Sequence, residues 1–100
     1  MEPESCPMEK FCKAVGSRWG CIIVEKLIQK KEMSFNELRK LINANPKTLS
    51  AKLKHLETQG LVRRRVDAEK KPIRVFYSLT AKGEDIKRVE QFISAWLKAR

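Results

Sequence analysis

Ser34-Phe35-Asn36-Glu37-Leu38-Arg39-Lys40-Leu41-Ile42-Asn43-Ala44-Asn45-Pro46-Lys47-Thr48-Leu49-Ser50-Ala51-Lys52-Leu53-Lys54-His55-Leu56-Glu57-Thr58-Gln59-Gly60 holds two helix starts separated by one short turn. Ser34 and Glu37 have capping-box spacing, in which each side chain satisfies the other residue's backbone donor. Behind that box Phe35, Leu38, Leu41 and Ile42 give the apolar stripe of a helix of about two turns. Asn43-Ala44-Asn45-Pro46 reads as a tight turn that restarts a helix, with Asn45 as cap and Pro46 at the first position. Leu49, Leu53 and Leu56 follow at i, i+4 and i+7, and Gly60 supplies the stop. With the leucines turned to a core, Lys47, Thr48, Ser50, Ala51, Lys52, Lys54 and His55 are predicted to face outward.

Beyond Gly60 the period changes from helix to strand. Leu61 to Asp67 is β-compatible, and Ala68-Glu69-Lys70-Lys71-Pro72 is a polar turn. Ile73, Val75, Tyr77 and Leu79 then alternate with Arg74, Phe76 and Ser78, completing a hairpin. Upstream, Met8, Phe11, Cys12 and Val15 form one stripe of a short helix with Pro7 at its start. Trp19, Ile22, Ile23, Val24, Leu27 and Ile28 cover more than one face of a second, central helix. Downstream, Thr80 can cap a last helix whose stripe is Ile86, Val89, Phe92, Ile93, Trp96 and Leu97. The order helix, helix, helix, helix, hairpin, helix predicts a mainly α winged helix-turn-helix with a β-hairpin wing. Helix 35–42 is the supporting helix and helix 46–59 the recognition helix. The N- and C-terminal helices are expected to form a dimer interface.

The chain has 100 residues with 22 basic and 12 acidic side chains, net +10. This length predicts one domain over 1–100, with residues 1–5 a flexible tail. Residues 47–82 hold ten basic and three acidic side chains, so seven of the ten net charges fall in that stretch. A solvated basic face with no partner has the same composition, so charge alone decides nothing. No apolar run approaches the roughly 20 residues of a membrane span, and the acidic Met1-Glu2-Pro3-Glu4-Ser5 start does not read as a signal peptide. Three cysteines, an odd number, favour reduced thiols and a cytoplasmic setting.

Short polar and basic side chains on a helix suit entry into a DNA major groove about 12 Å wide. Lys47, Thr48, Ser50 and Lys52 are the expected base or adjacent phosphate contacts, and the start at Pro46 aims backbone donors at a phosphate. None of these is an Arg or Asn in a bidentate role, so reading would rest partly on DNA shape. Arg63, Arg64, Arg65 and Arg74 on the hairpin strands and Lys70 and Lys71 at its tip are expected to meet the neighbouring backbone or minor groove. An edge hairpin blunted by charge against aggregation is the competing account. The helix pair, the basic patch and the hairpin lie contiguously, which favours double-stranded DNA as partner. The terminal stripe is too long to cover a small domain alone. Phe11, Trp19, Val89, Phe92, Ile93 and Trp96 are therefore assigned to a homodimer interface, with packing into a single core as the alternative.

Taken in order, these residues resemble the HxlR-type winged-helix regulators, relatives of the MarR and ArsR groups. The carriers are Cys6-Pro7-Met8-Glu9, Gly16-Ser17-Arg18-Trp19, Phe35-Asn36-Glu37-Leu38-Arg39, Lys47-Thr48-Leu49-Ser50, Leu53-Lys54-His55-Leu56-Glu57, Gly60-Leu61-Val62 and Tyr77-Ser78-Leu79-Thr80-Ala81-Lys82-Gly83. The resemblance implies a homodimeric transcription regulator that dimerises through its first and last helices. It places Lys47, Thr48, Ser50 and Lys52 on the recognition helix and Lys70-Lys71 on the wing. The chain departs from the family pattern in three places. Its turn is Asn43-Ala44-Asn45-Pro46 and not a Gly-Ile-Ser type, Phe76 stands where an acidic residue is usual, and Cys12 and Cys21 are additional.

In some members of that family the cysteine matching Cys6 senses oxidants. At a helix start, with Lys10 one turn along, the dipole would favour a Cys6 thiolate, while Glu9 opposes it; a small residue filling the interface is the plainer account. Cys12 and Cys21 are expected to pack as small apolar residues. A zinc site from the cysteines and His55 matches no paired-ligand spacing, and His55 is expected on the DNA face. No cofactor is indicated. With one histidine, no Gly-rich phosphate loop, no HExxH and no GxSxG, nothing points to an enzyme. A protein-interaction module and a non-specific chromosome-coating protein remain as alternative readings of the same basic face.

Overall fold

The structure, a computed structural model, describes residues 7–16, 18–69 and 71–99, with 7–10 as backbone only. The expected tail, Cys6 and Lys70 lie outside the described residues. Helices α1 (Pro7–Val15) and α2 (Arg18–Lys30) lead into a short strand β1 (Glu32–Ser34), then α3 (Phe35–Ile42) and α4 (Pro46–Thr58). Strands β2 (Val62–Asp67) and β3 (Arg74–Leu79) form the hairpin, followed by α5 (Ala81–Glu84) and α6 (Ile86–Lys98). The winged helix-turn-helix predicted from the sequence is the fold observed.

Local chemistry accounts for the boundaries of the central pair. The Ser34 amide donates to Glu37 Oε1 at 2.8 Å and the Glu37 amide to Ser34 Oγ at 3.1 Å, closing the capping box. Asn43 ends α3 in the left-handed region at φ 57, with its amide on Arg39 O at 2.9 Å. Asparagine tolerates that conformation better than most residues. Asn45 Oδ1 then accepts from the Lys47 amide at 2.7 Å, and Pro46 opens α4. The departure from a Gly-Ile-Ser turn thus keeps both functions of the turn, a left-handed stop and a side-chain cap.

The core lies between α2, α3, α4 and the sheet. Ile23, Leu27, Leu38, Leu49, Leu53 and Leu56 are its fully buried members, with Val24, Met33, Val62, Tyr77 and Leu79 around them. Trp19, Ile22, Ile28 and Phe35 pack on its edge. The three α4 leucines expected inside are inside, which fixes the rotation of that helix.

Three features differ from the sequence reading. The sheet has a third strand, β1, which pairs with β3 through Glu32 with Ser78, Met33 with Tyr77 and Ser34 with Phe76. A three-residue strand is too short to show a period of two. The last helix is two segments meeting at Asp85. α5 is held to the start of β2, because Thr80 Oγ donates to Gly60 O and accepts from the Gly83 amide, while α6 buries none of its residues. Finally, Cys12 and Cys21 are exposed, not packed as small apolar residues. The helix positions turned to the core near them are taken by Val15, Gly20, Ile23 and Val24. Leu41 and Ile73, half-exposed or more, likewise lie outside the core that their apolar stripes predict.

Candidate nucleic-acid interface

With 100° per residue and Leu49, Leu53 and Leu56 buried, the side of α4 opposite the core carries Lys47, Ala51, Lys54 and Thr58. All four are exposed, as are Thr48 and Ser50 on either flank. Lys52 is half-buried at the border of the core, so it stands to the side of this surface, whereas Lys54 lies on it. Lys54 is legible as outward from the same wheel, although it lies beyond the first turn of the helix. The helix start offers fewer free donors than its sequence suggests. Pro46 has none, the Lys47 amide is taken by Asn45 Oδ1 and the Leu49 amide by Asn45 O, which leaves the Thr48 amide for a ligand.

His55 is not on the outward surface. Its Nε2 lies 2.8 Å from Lys13 O at the end of α1, so Nε2 carries the hydrogen and donates. The ring packs over Gly16, whose φ is +95 and where an added Cβ would come within 3.0 Å of His55 Cδ2. The residue therefore joins the recognition helix to α1. Among the described residues no three His, Cys, Asp or Glu side chains are grouped so as to hold a metal.

The hairpin, or wing, pairs Val62 with Leu79, Arg63 with Ser78, Arg64 with Tyr77, Arg65 with Phe76, Val66 with Val75 and Asp67 with Arg74. Paired residues share a face of the sheet and neighbours along a strand alternate. The arginine run is therefore split. Arg63, Arg65 and Arg74 stand on the outer face with Phe76, Ser78 and Glu32, and Arg64 stands on the opposite face with Tyr77. Arg63, Arg64, Lys71 and Arg74 are exposed. At the tip, the Glu69 amide donates to Asp67 Oδ1 at 3.3 Å, ordering the turn.

Arg65 differs from its neighbours. Its guanidinium lies 4.6 Å over the Phe76 ring, and Nε and Nη2 each donate at 3.2 Å to the two carboxylate oxygens of Glu32. Hydrogen bonding to Glu32 raises its pKa above the ordinary arginine value. Phe76, the departure from an acidic residue, is the ring over which this arginine lies.

A second surface is the apolar stripe of α6. α6 exposes Phe92 at 78%, Leu97 at 60%, Trp96 at 59%, and Ile93 and Val89 to a smaller extent. A cavity of about 270 Å³ runs from this stripe to α1 and α2, lined by Phe11, Val15, Ile22, Ile28, Val89 and Ile93 among others. Phe11 is thus brought to the α6 stripe, whereas Trp19 is half-buried against the core. Among the described residues no helix is long and apolar enough to cross a membrane.

Comparison with known proteins converges on one group. A family model described as HxlR-like helix-turn-helix matches residues 14–100. The HTH-type transcriptional regulator YvaP of Bacillus subtilis is 36% identical over 97 residues, covering 95% of this chain and 88% of its own. The reduced form of the transcriptional regulator YodB from B. subtilis superposes with a TM-score of 0.79 at 34% identity, covering 93% of this chain and 91% of that one. The redox regulator HypR in its oxidised form gives a TM-score of 0.80 at 28% identity, over 95% of this chain and 97% of that one.

Proposed function

The chain belongs to the HxlR-like helix-turn-helix family of transcriptional regulators, and from that premise we propose that it works as a homodimer gripping double-stranded DNA with α4 and the wing. The observation that carries this reading is the exposure of cations on both α4 and the wing within one basic segment. Lys47 and Lys54 on α4, with Thr48 and Ser50 beside them, share the molecule's basic segment with Arg63, Arg64, Lys71 and Arg74 on the wing. The α4 side chains enter the major groove, and the wing cations replace condensed counterions on the adjacent backbone. Lys52 supports the flank of the same contact, and Lys70 belongs to the wing tip by its place in the sequence.

Phe92, Ile93, Trp96 and Val89, with Phe11 across the groove and the exposed half of Trp19, form the surface against the second copy. An exposed apolar stripe of this size on a single helix favours a partner. A two-fold pair sets its two recognition helices one DNA turn apart, about 34–36 Å. HypR is a redox regulator and a quinone-bound form of YodB is a solved neighbour at a TM-score of 0.80, which supports assigning oxidant sensing to Cys6. The role of the regulator as an enzyme finds no support in relatives that are transcriptional regulators.

The test is duplex binding at about 150 mM salt, with DNA from upstream of its own gene against a scrambled duplex of equal length. The expected result is a preference of roughly a thousandfold or more for the upstream DNA. Equal binding to both would favour chromosome coating, and binding to neither would favour a protein-interaction module. Oxidising the Cys6→Ser protein tests the sensor: its DNA affinity is expected to stay constant where that of the unaltered protein changes.

A further inference from the structure

We infer that Glu32 withholds Arg65 from DNA, so that the tightness and salt dependence of binding are set by a carboxylate on β1 that touches no nucleic acid. The inference rests on the wing being the DNA contact proposed above. Position along the hairpin would make Arg65 the strongest phosphate candidate of the run, since it lies nearer the tip than Arg63 or Arg64. Its geometry removes it from that role. Both carboxylate oxygens of Glu32 are engaged by its Nε and Nη2, and the guanidinium carbon lies 4.6 Å over the Phe76 ring, with the Arg65 and Glu32 side chains both about half-exposed. Bidentate pairing and stacking together fix an arginine more firmly than a single exposed ion pair does. The pair spans the sheet from β2 over β3 to β1, so the carboxylate comes from an element outside the hairpin.

Charge bookkeeping gives the consequence. A cation already neutralised by a carboxylate releases no counterion when it approaches a phosphate, so Arg65 adds nothing to the salt slope. Arg63 lies on the same face of the sheet, and among the described residues no carboxylate is paired with it. Glu32 is thus a positioning residue for DNA binding, acting through Arg65. Its removal leaves Arg65 without a bonded carboxylate, with Asp67 on the same face as its remaining acidic neighbour.

The experiment measures binding of a mixed-sequence duplex between about 50 and 200 mM salt, where phosphate contacts dominate. Glu32→Gln, Arg65→Ala, Arg63→Ala and Arg64→Ala are compared with the unaltered protein, and circular dichroism confirms the fold of each. Glu32→Gln is expected to bind every duplex more tightly, with a slope steeper by about 0.9. Over a fourfold change in salt that makes its advantage shrink by about 3.5-fold. Arg65→Ala is expected to leave the slope where it was, while Arg63→Ala and Arg64→Ala each make it shallower by about 0.9. A merely structural role for Glu32 would weaken binding at constant slope and so overturns the inference. A shallower slope in Arg65→Ala, or an unchanged one in Glu32→Gln, also overturns it while leaving the wing reading intact. Flat slopes in both Arg63→Ala and Arg64→Ala would instead remove the wing contact itself, and the inference with it.

Discussion

Gly60 and Gly83 flank the junction at which the recognition helix, the wing and the last helical segments meet, and replacing each by alanine separates two physical reasons for glycine. At Gly83 an added Cβ would stand 2.1 Å from Leu61 O and 3.1 Å from Leu79 Cδ2. The oxygen belongs to the backbone at the start of β2, so no side chain can swing away. Relief requires α5 to move off the strand, which lengthens the Gly83 amide to Thr80 Oγ bond, now 3.1 Å, and the Thr80 amide to Leu61 O bond, also 3.1 Å. Overpacking costs about 1–3 kcal/mol and each hydrogen bond about 1, against a gain of about 1 for alanine over glycine in a helix. The balance is a loss of about 2–4 kcal/mol, or roughly 10–25 °C in Tm for a domain of this size. At Gly60 nothing lies within 4 Å of the added carbon, and only the φ of +78 is at stake. That costs about 1–2 kcal/mol. Thermal and urea unfolding of both variants decide the matter. A Gly83→Ala protein no less stable than Gly60→Ala would refute the close approach at Leu61.

Three further outcomes are expected. Asn45→Ala removes the cap on the Lys47 amide and should cost about 1 kcal/mol in urea unfolding together with duplex affinity, while Asn45→Ser restores both. His55→Ala breaks the bond to Lys13 O and should lose about 1 kcal/mol, with the salt slope of DNA binding unchanged because the residue faces α1 and not the duplex. A shallower slope would return His55 to the DNA surface. Phe92→Glu places a charge in the apolar stripe of α6, and sedimentation at micromolar concentration should then show an 11.6 kDa species in place of one twice that mass; a dimer that persists would move the interface elsewhere.

Much of this architecture is legible in the sequence because its signals are local. The Ser34 and Glu37 box, the Asn45 cap and the i, i+4, i+7 leucines of α4 each act within a few residues, and each is found where the spacing puts it. What escaped the reading depends on contacts distant in sequence. β1 is a strand only because β3, more than forty residues on, supplies its partner. The break at Asp85 depends on Gly83 reaching Leu61, and the turn of His55 toward α1 on a carbonyl at Lys13. The exposure of Cys12 and Cys21 follows from which side of α1 and α2 meets the core, a choice that neighbouring apolar residues on several faces left open.

The arginine run shows why a site is harder to read than a fold. Three adjacent cations look like one patch when counted along the chain. The pleat alone divides them, and that step was available from the sequence, since residues at i and i+2 share a face and i+1 does not. The next division was not. Arg65 is neutralised by Glu32 because a third strand lies beyond β3, and it lies over Phe76, which replaces an acidic side chain at the position paired with it. An acidic residue at position 76 would itself sit opposite Arg65, in the cross-strand place where opposite charges attract. In this chain the aromatic ring stands in that place and the carboxylate comes from Glu32, one strand outward. If the wing meets DNA as proposed, net charge overstates the cations it offers there, and the residues that matter are those whose charge the fold has not already met.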